Sequence, residues 1–166
     1  MDDRYHTAIH EAGHAVALAR FGRDQGGVSI RPDNGTLGRA AGEGLNNIWS
    51  EEDARHIAVV DAAGYAALIV HGLDEDAAMA GAWEDFENVE AIIRDWLPES
   101  TVEQWKAQAV ELMRDPTNVR AVGRVAEELI SRGVIDAQHL PVLIELADGE
   151  CSEQEYRQFL VLSGLD

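Results

Sequence analysis

Residues His10-Glu11-Ala12-Gly13-His14 open an alanine-rich stretch that continues through Ala15-Val16-Ala17-Leu18-Ala19 without a proline. Residues four apart on an α-helix lie one above the other on the same face, so both imidazoles can reach one metal ion. Glu11 follows about 100° round the helix, where it could hold and deprotonate a water on that ion. This is the HExxH arrangement of zinc peptidases. It requires a long, straight helix that a third element can approach closely, and Ala12 and Gly13 are small enough to allow that. The plain alternative is a surface helix bearing two part-exposed histidines. A zinc site needs a third protein ligand and one open position for water. The metzincin pattern places a third histidine six residues after the second; here that position is Arg20, which excludes that class.

A chain of 166 residues with 46% hydrophobic content can bury one real core and is marginal for two. The net charge of −18 disfavours nucleic acid or an anionic membrane as a partner, since either would repel it. Cys151 is the lone cysteine, which precludes an internal disulfide and fits a reduced compartment. The acidic start Met1-Asp2-Asp3-Arg4 runs straight into the histidine helix and has no signal-peptide pattern, and the longest apolar run, near Ala66–Val70, is too short to span a bilayer. The expectation is a soluble, cytoplasmic protein.

The spacing predicts a first helix, capped by Asp2 or Asp3, that ends near Phe21 at Gly22. Gly27–Arg31 reads as a strand, Asp33-Asn34-Gly35 as a turn, and Thr36–Ala40 as a returning strand. Ser50-Glu51-Glu52-Asp53 reads as the capped start of a helix reaching Val70 or His71, closed by Gly72. Asp74-Glu75-Asp76 reads as a solvated loop. Further helices are expected over Trp83–Leu97, from Thr101 to about Arg114, from Pro116 to Arg132, from a cap at Asp136 to Ala147, and after the capping box Ser152–Glu155. The fold class is therefore mainly α (α+β): one helical, zincin-like domain over 1–166 with a small β-hairpin or sheet after the HExxH helix.

These elements, in this order, resemble the peptidase domain of the FtsH-type ATP-dependent zinc metalloproteases over most of the chain. That family opens its peptidase domain with HEAGHA, as residues 10–15 do. Its strand-turn-strand, V-x-I-x-P-x-x-x-x-L-G, is similar to the series Val28, Ile30, Pro32, Leu37, Gly38. Its Gly-Arg-Ala-Ala helix is matched by Gly64-Tyr65-Ala66-Ala67. The family draws its third zinc ligand from an aspartate in a Gly-Ala-x-x-Asp-Leu context, and Gly81-Ala82-Trp83-Glu84-Asp85-Phe86 resembles it, which puts that role on Asp85. The end of the family domain resembles Val125–Ile130 followed by Val134–Ile144.

The resemblance implies a zinc metalloendopeptidase with His10, His14 and Asp85 as ligands and Glu11 as general base. Zn2+ would be the cofactor, and a peptide or unfolded protein the substrate, bound along an edge strand near Thr36–Gly44. The departures point elsewhere. Leu68 and Ile69 stand where the family has a Glu-Glu pair, the segment between Asp85 and Asp115 is shorter, and the chain has no GxxxxGK[ST] loop. The expectation is a peptidase without its own ATPase, served by flexible substrates or by a separate ATPase, with homo-oligomers possible. A non-cleaving binding or regulatory module that keeps the fold and the zinc is the second reading.

Other candidates have ordinary roles. Glu84 and Glu87 rival Asp85, since only one residue of that helix face would point inward. Three histidines on successive turns diverge, so His6 is read as neighbouring or solvated. His71 suits a helix end. His56 and His139 are placed on polar faces, and Trp83, Trp96 and Trp105 in the core or a subunit contact.

Overall fold

A computed structural model describes residues 3–23, 25–32, 39–42 and 48–165. Among them the chain runs α1 (Asp3–Arg20), β1 (Gln25–Ser29), β2 (Arg39–Gly42), α2 (Glu51–Val70), α3 (Glu75–Gly81), α4 (Trp83–Trp96) and α5 (Val102–Arg114). It continues through α6 (Pro116–Arg132), β3 (Val134–Ile135), α7 (His139–Asp148) and α8 (Glu153–Ser163). The protein is mainly helical, with one small antiparallel sheet in the order β2-β1-β3.

Local chemistry sets most boundaries. Ser50 adopts extended backbone and accepts the Asp53 N–H, and Gly72 at φ +95° ends the last turn beyond α2. Thr101 accepts the Gln104 N–H, Asp115 caps α6 ahead of Pro116, and Ser152 and Glu155 cap each other's backbone N–H groups. The acidic run is no loop. Asp74 accepts the Ala77 N–H at 3.0 Å, and Glu75 and Asp76 form the first turn of α3, where carboxylates complement the helix dipole. Asp136, the expected cap, accepts the N–H groups of Gln138 and His139, and α7 itself starts at His139. Directly after α6, β3 pairs Val28 with Ile135 and Ser29 with Val134. The turn Asp33-Asn34-Gly35 lies outside the described residues, and of the returning strand and the Thr36–Gly44 edge only 39–42 are described, as β2.

Helices α1 and α2 run antiparallel and form the centre of the fold. His14 meets Val60, Phe21 stacks on His56 with ring centroids 4.3 Å apart, and Arg23 pairs with Asp53. His56 therefore packs against an aromatic ring rather than lying on a bare polar face. The approach is close because the seam is built of small residues. A Cβ on Gly13 would fall 2.6 Å from the Ala63 carbonyl oxygen and 2.7 Å from the Ala67 Cβ. Ala62, Ala63, Ala66 and Ala67 are fully buried along the facing side of α2. Trp105 of α5 fills the core, its indole N–H donating to Ser100 Oγ, whereas Trp83 and Trp96 reach the surface.

Arg20, at the position a metzincin would fill with histidine, clamps Asp148 through two bonds of 2.6 and 2.8 Å and donates to Asn118 Oδ1. It ties the end of α1 to α6 and α7. His139 overturns its polar-face expectation: it is buried beneath α8, 2.6 Å from the Tyr156 hydroxyl. Its place at the start of α7 turns it into the core that α6 and α8 close. No described helix is long and apolar enough to cross a membrane.

Candidate metal centre

The HExxH face of α1 points at α2, and the short α3 brings the start of α4 over the same spot. His10 Nε2 and His14 Nε2 lie 3.0 Å apart, and Asp85 Oδ2 is 3.1 Å from the first and 3.4 Å from the second. Three ligand atoms about 2.0–2.1 Å from a tetrahedral zinc are separated from one another by roughly 3.3 Å. The triangle has the dimensions of one face of such a tetrahedron. Among the described residues this is the group of metal-ligating side chains drawn together.

Each corner is held by a different device. His14 Nδ1 is 2.7 Å from the Val60 carbonyl, so Nδ1 carries the proton and donates it, and Nε2 is aimed at Asp85. His10 and His14 pack edge to face, 4.6 Å between centroids. Their rings occupy the space where a side chain at position 64 would begin: a Cβ on Gly64 would lie 2.5 Å from His10 Cε1 and 2.6 Å from His14 Nε2. The glycine of the Gly-Tyr-Ala-Ala segment is thus the floor of the site. Asp85 enters from the first turn of α4, while Phe86 and Val89 anchor that helix in the core.

Of the three acidic candidates on α4, Asp85 points inward, and Glu84 and Glu87 are exposed. Glu11 is 7% exposed, and its charge acts on His14. His6 lies outside the triangle, edge-on to Tyr5. His71 is the C-cap of α2, with Nδ1 2.9 Å from the Ala67 carbonyl.

The electrostatics mark a site that seeks positive charge. Burial alone would raise the Asp85 carboxyl, but hydrogen bonds from His10 and His14 and their charges hold it well below the usual carboxylate range. Burial likewise lowers His14, yet the Asp85 hydrogen bond, the Asp85 and Glu11 charges and the Val60 carbonyl push it up to about 10. A proton on the imidazole thus serves as counter-ion to two carboxylates. A divalent cation would serve better, because it satisfies all three donor atoms at once.

Two residues that do not stand out from motif spacing belong to this region. Val60 acts through its carbonyl, which no side-chain pattern can reveal. Asp61 is the one acidic residue between Asp53 and Asp74, within an otherwise apolar helix, and that isolation was a readable signal. The chain matches no protein-family model and no curated protein.

Proposed function

We propose that the chain is a zincin-like, zinc-dependent metallopeptidase that hydrolyses peptide bonds. The observation that carries this reading is the His10–His14–Asp85 triangle, whose 3.0–3.4 Å edges suit one tetrahedral ion. The cradle of Gly64 and the Val60 hydrogen bond support it, since the first seats both rings and the second turns His14 Nε2 inward. A bound zinc ion supplies a Lewis acid that lowers the pKa of water to roughly 7 and polarises the scissile carbonyl.

The remaining work falls to the chain. His10, His14 and Asp85 would hold the ion. Glu11, one residue after the first ligand on α1, takes the proton of the attacking water and returns it to the leaving amine. Strand β2 is the outer strand of the sheet order β2-β1-β3 and packs near α1, so an extended peptide can add to it by main-chain hydrogen bonds. Flexible peptides and unfolded segments are the fitting substrates, supplied directly or by a separate ATPase. A lone cysteine at 151 fits work in the cytoplasm.

The test is zinc content together with cleavage of an unstructured polypeptide such as casein, with and without a chelator. The purified protein should carry one zinc and cleave, and the chelator should stop it. Glu11→Gln should keep the zinc and lose about 10²–10⁴-fold in rate. Full turnover by Glu11→Gln would refute the role of Glu11. Stoichiometric zinc without any cleavage would favour the binding-module reading, and absence of zinc binding would overturn both.

A further inference from the structure

Asp61 lies on α2 one turn before Gly64, the residue on which the two imidazoles rest, and directly after Val60, whose carbonyl holds His14. Its Oδ2 atom is out of contact with solvent and has no hydrogen-bond partner among the described residues. Its carboxylate is not a member of the triangle formed by His10, His14 and Asp85. Yet it is within electrostatic reach of that triangle, since the charges of His14 and Asp85 both act on it. A buried carboxylate oxygen without a donor is among the costlier features a fold can keep, and it persists where something else compensates it.

Nothing in the packing of α2 calls for a carboxylate here. The neighbours Ile57, Ala58, Val60, Ala62 and Gly64 are all buried, and Asp61 is itself half-buried, so its shielded oxygen faces an apolar helix that offers it no donor. We propose that Asp61 is a positioning residue of the metal centre: an uncoordinated, half-buried carboxylate whose solvent-shielded Oδ2 is compensated by the divalent cation held by His10, His14 and Asp85. This rests on the metal reading given above. The centre then carries two kinds of carboxylate. Asp85 binds the ion directly, and Asp61 acts through space across a poorly screened interior, where a charge is felt far more strongly than in water. Burial, with the Asp85 charge, pushes the Asp61 carboxyl up to about 7 against the opposing pull of His14.

The proposal separates affinity from coordination, and the experiment reads both. Zinc affinity is measured by competition with a chromogenic chelator, and ligand geometry by the visible d–d absorption of the Co2+-substituted protein, for the wild type, Asp61→Asn and Glu87→Gln. The Glu87 variant removes an exposed carboxylate from α4 and serves as the control for net charge. Asp61→Asn should weaken zinc binding about tenfold or more, the size expected for an outer partner of a metal site, at unchanged one-to-one stoichiometry and with an unchanged cobalt spectrum. The loss should outlast high salt, because Asp61 Oδ2 is shielded from solvent, whereas any effect of Glu87→Gln should vanish there.

Affinity within twofold of wild type would overturn the proposal. So would a changed cobalt spectrum, which would make Asp61 a ligand. Failure of the wild type to bind zinc or cobalt would instead defeat the metal reading itself, a distinct result. Should Asp61→Asn fail to fold, Asp61→Leu, which suits the apolar neighbours, gives the same comparison of affinity and spectrum.

Discussion

His14 and His139 are both buried, at 8% and 1% exposure, and each has one ring nitrogen in a hydrogen bond shorter than 2.8 Å. Their chemistry diverges because of what faces the other side. His14 faces Asp85 of α4 and feels Glu11 of its own helix, and its pKa rises to about 10 despite burial. His139 faces the Tyr156 hydroxyl, with Glu128 farther off and Arg132 nearby, and burial lowers its pKa below the ordinary histidine value. One histidine sits where acceptors converge. The other is a neutral core residue fastening α7 to α8. Burial therefore does not make a site; converging, unneutralised acceptors do.

The largest expected effect comes from closing the gap in the seam between α1 and α2. Gly64→Ala puts a methyl group within 2.6 Å of both imidazoles, so the rings must leave their positions. Zinc affinity should drop by about 100-fold or more, and overpacking should cost about 1–3 kcal/mol in a denaturation experiment. Gly123→Ala in α6 is the matched control, since nothing lies within 4 Å of its missing Cβ. It should stabilise the helix by about 0.5–1 kcal/mol and leave metal binding alone. Equal zinc affinity in Gly64→Ala and wild type would remove the distinction between the two regions.

Why one region was legible in the sequence and the other was not follows from the same contrast. His10, Glu11 and His14 share a helix, so fixed periodicity places them, and Asp85 was reachable by resemblance before its inward direction was seen. Caps such as Ser50, Thr101 and Ser152 act within four residues and read equally well. Helix α3 was missed because its seven residues are too few for a period, and its acidic start imitates a loop. The burial of His139 was missed because it depends on α8 arriving seventeen residues later. Asp61 was missed because a lone carboxylate has no spacing to match. Local rules reach about one turn; what distant elements cover must be seen in the fold.

Proton linkage sharpens the comparison at intermediate magnitude. Without metal, a histidine raised to about 10 stabilises the fold fully below its unfolded value near 6.5, and that contribution fades as pH rises from 6.5 to about 10. His139, being lowered, works in the opposite sense: it withdraws stability as pH falls through 6.5. Metal binding must expel the His14 proton, so zinc affinity should climb with pH up to about 10, with close to one proton released per ion near pH 8. Calorimetry in buffers of different ionisation enthalpy counts that proton. His139→Gln should leave the count unchanged while flattening the acid side of the metal-free stability profile. A zinc affinity independent of pH between 7 and 9 would show that His14 holds no such proton.

The smallest effect belongs to the far corner. Tyr156→Phe removes the hydroxyl 2.6 Å from His139 Nε2 and leaves that nitrogen with Glu128 Oε1 at 3.8 Å, too long for a direct bond. A buried imidazole nitrogen that loses its partner should cost about 1–2 kcal/mol, read as a lower urea midpoint with an unchanged slope. Tyr156 is itself only 3% exposed, and burial beside Glu128 pushes its hydroxyl up to about 12, so it acts as a neutral partner across the working pH range. Zinc affinity and peptide cleavage in Tyr156→Phe should match wild type within twofold. If they fell with stability, the α6–α7–α8 corner would be coupled to the seam through α1, whose Arg20 already grips Asp148 at the end of α7.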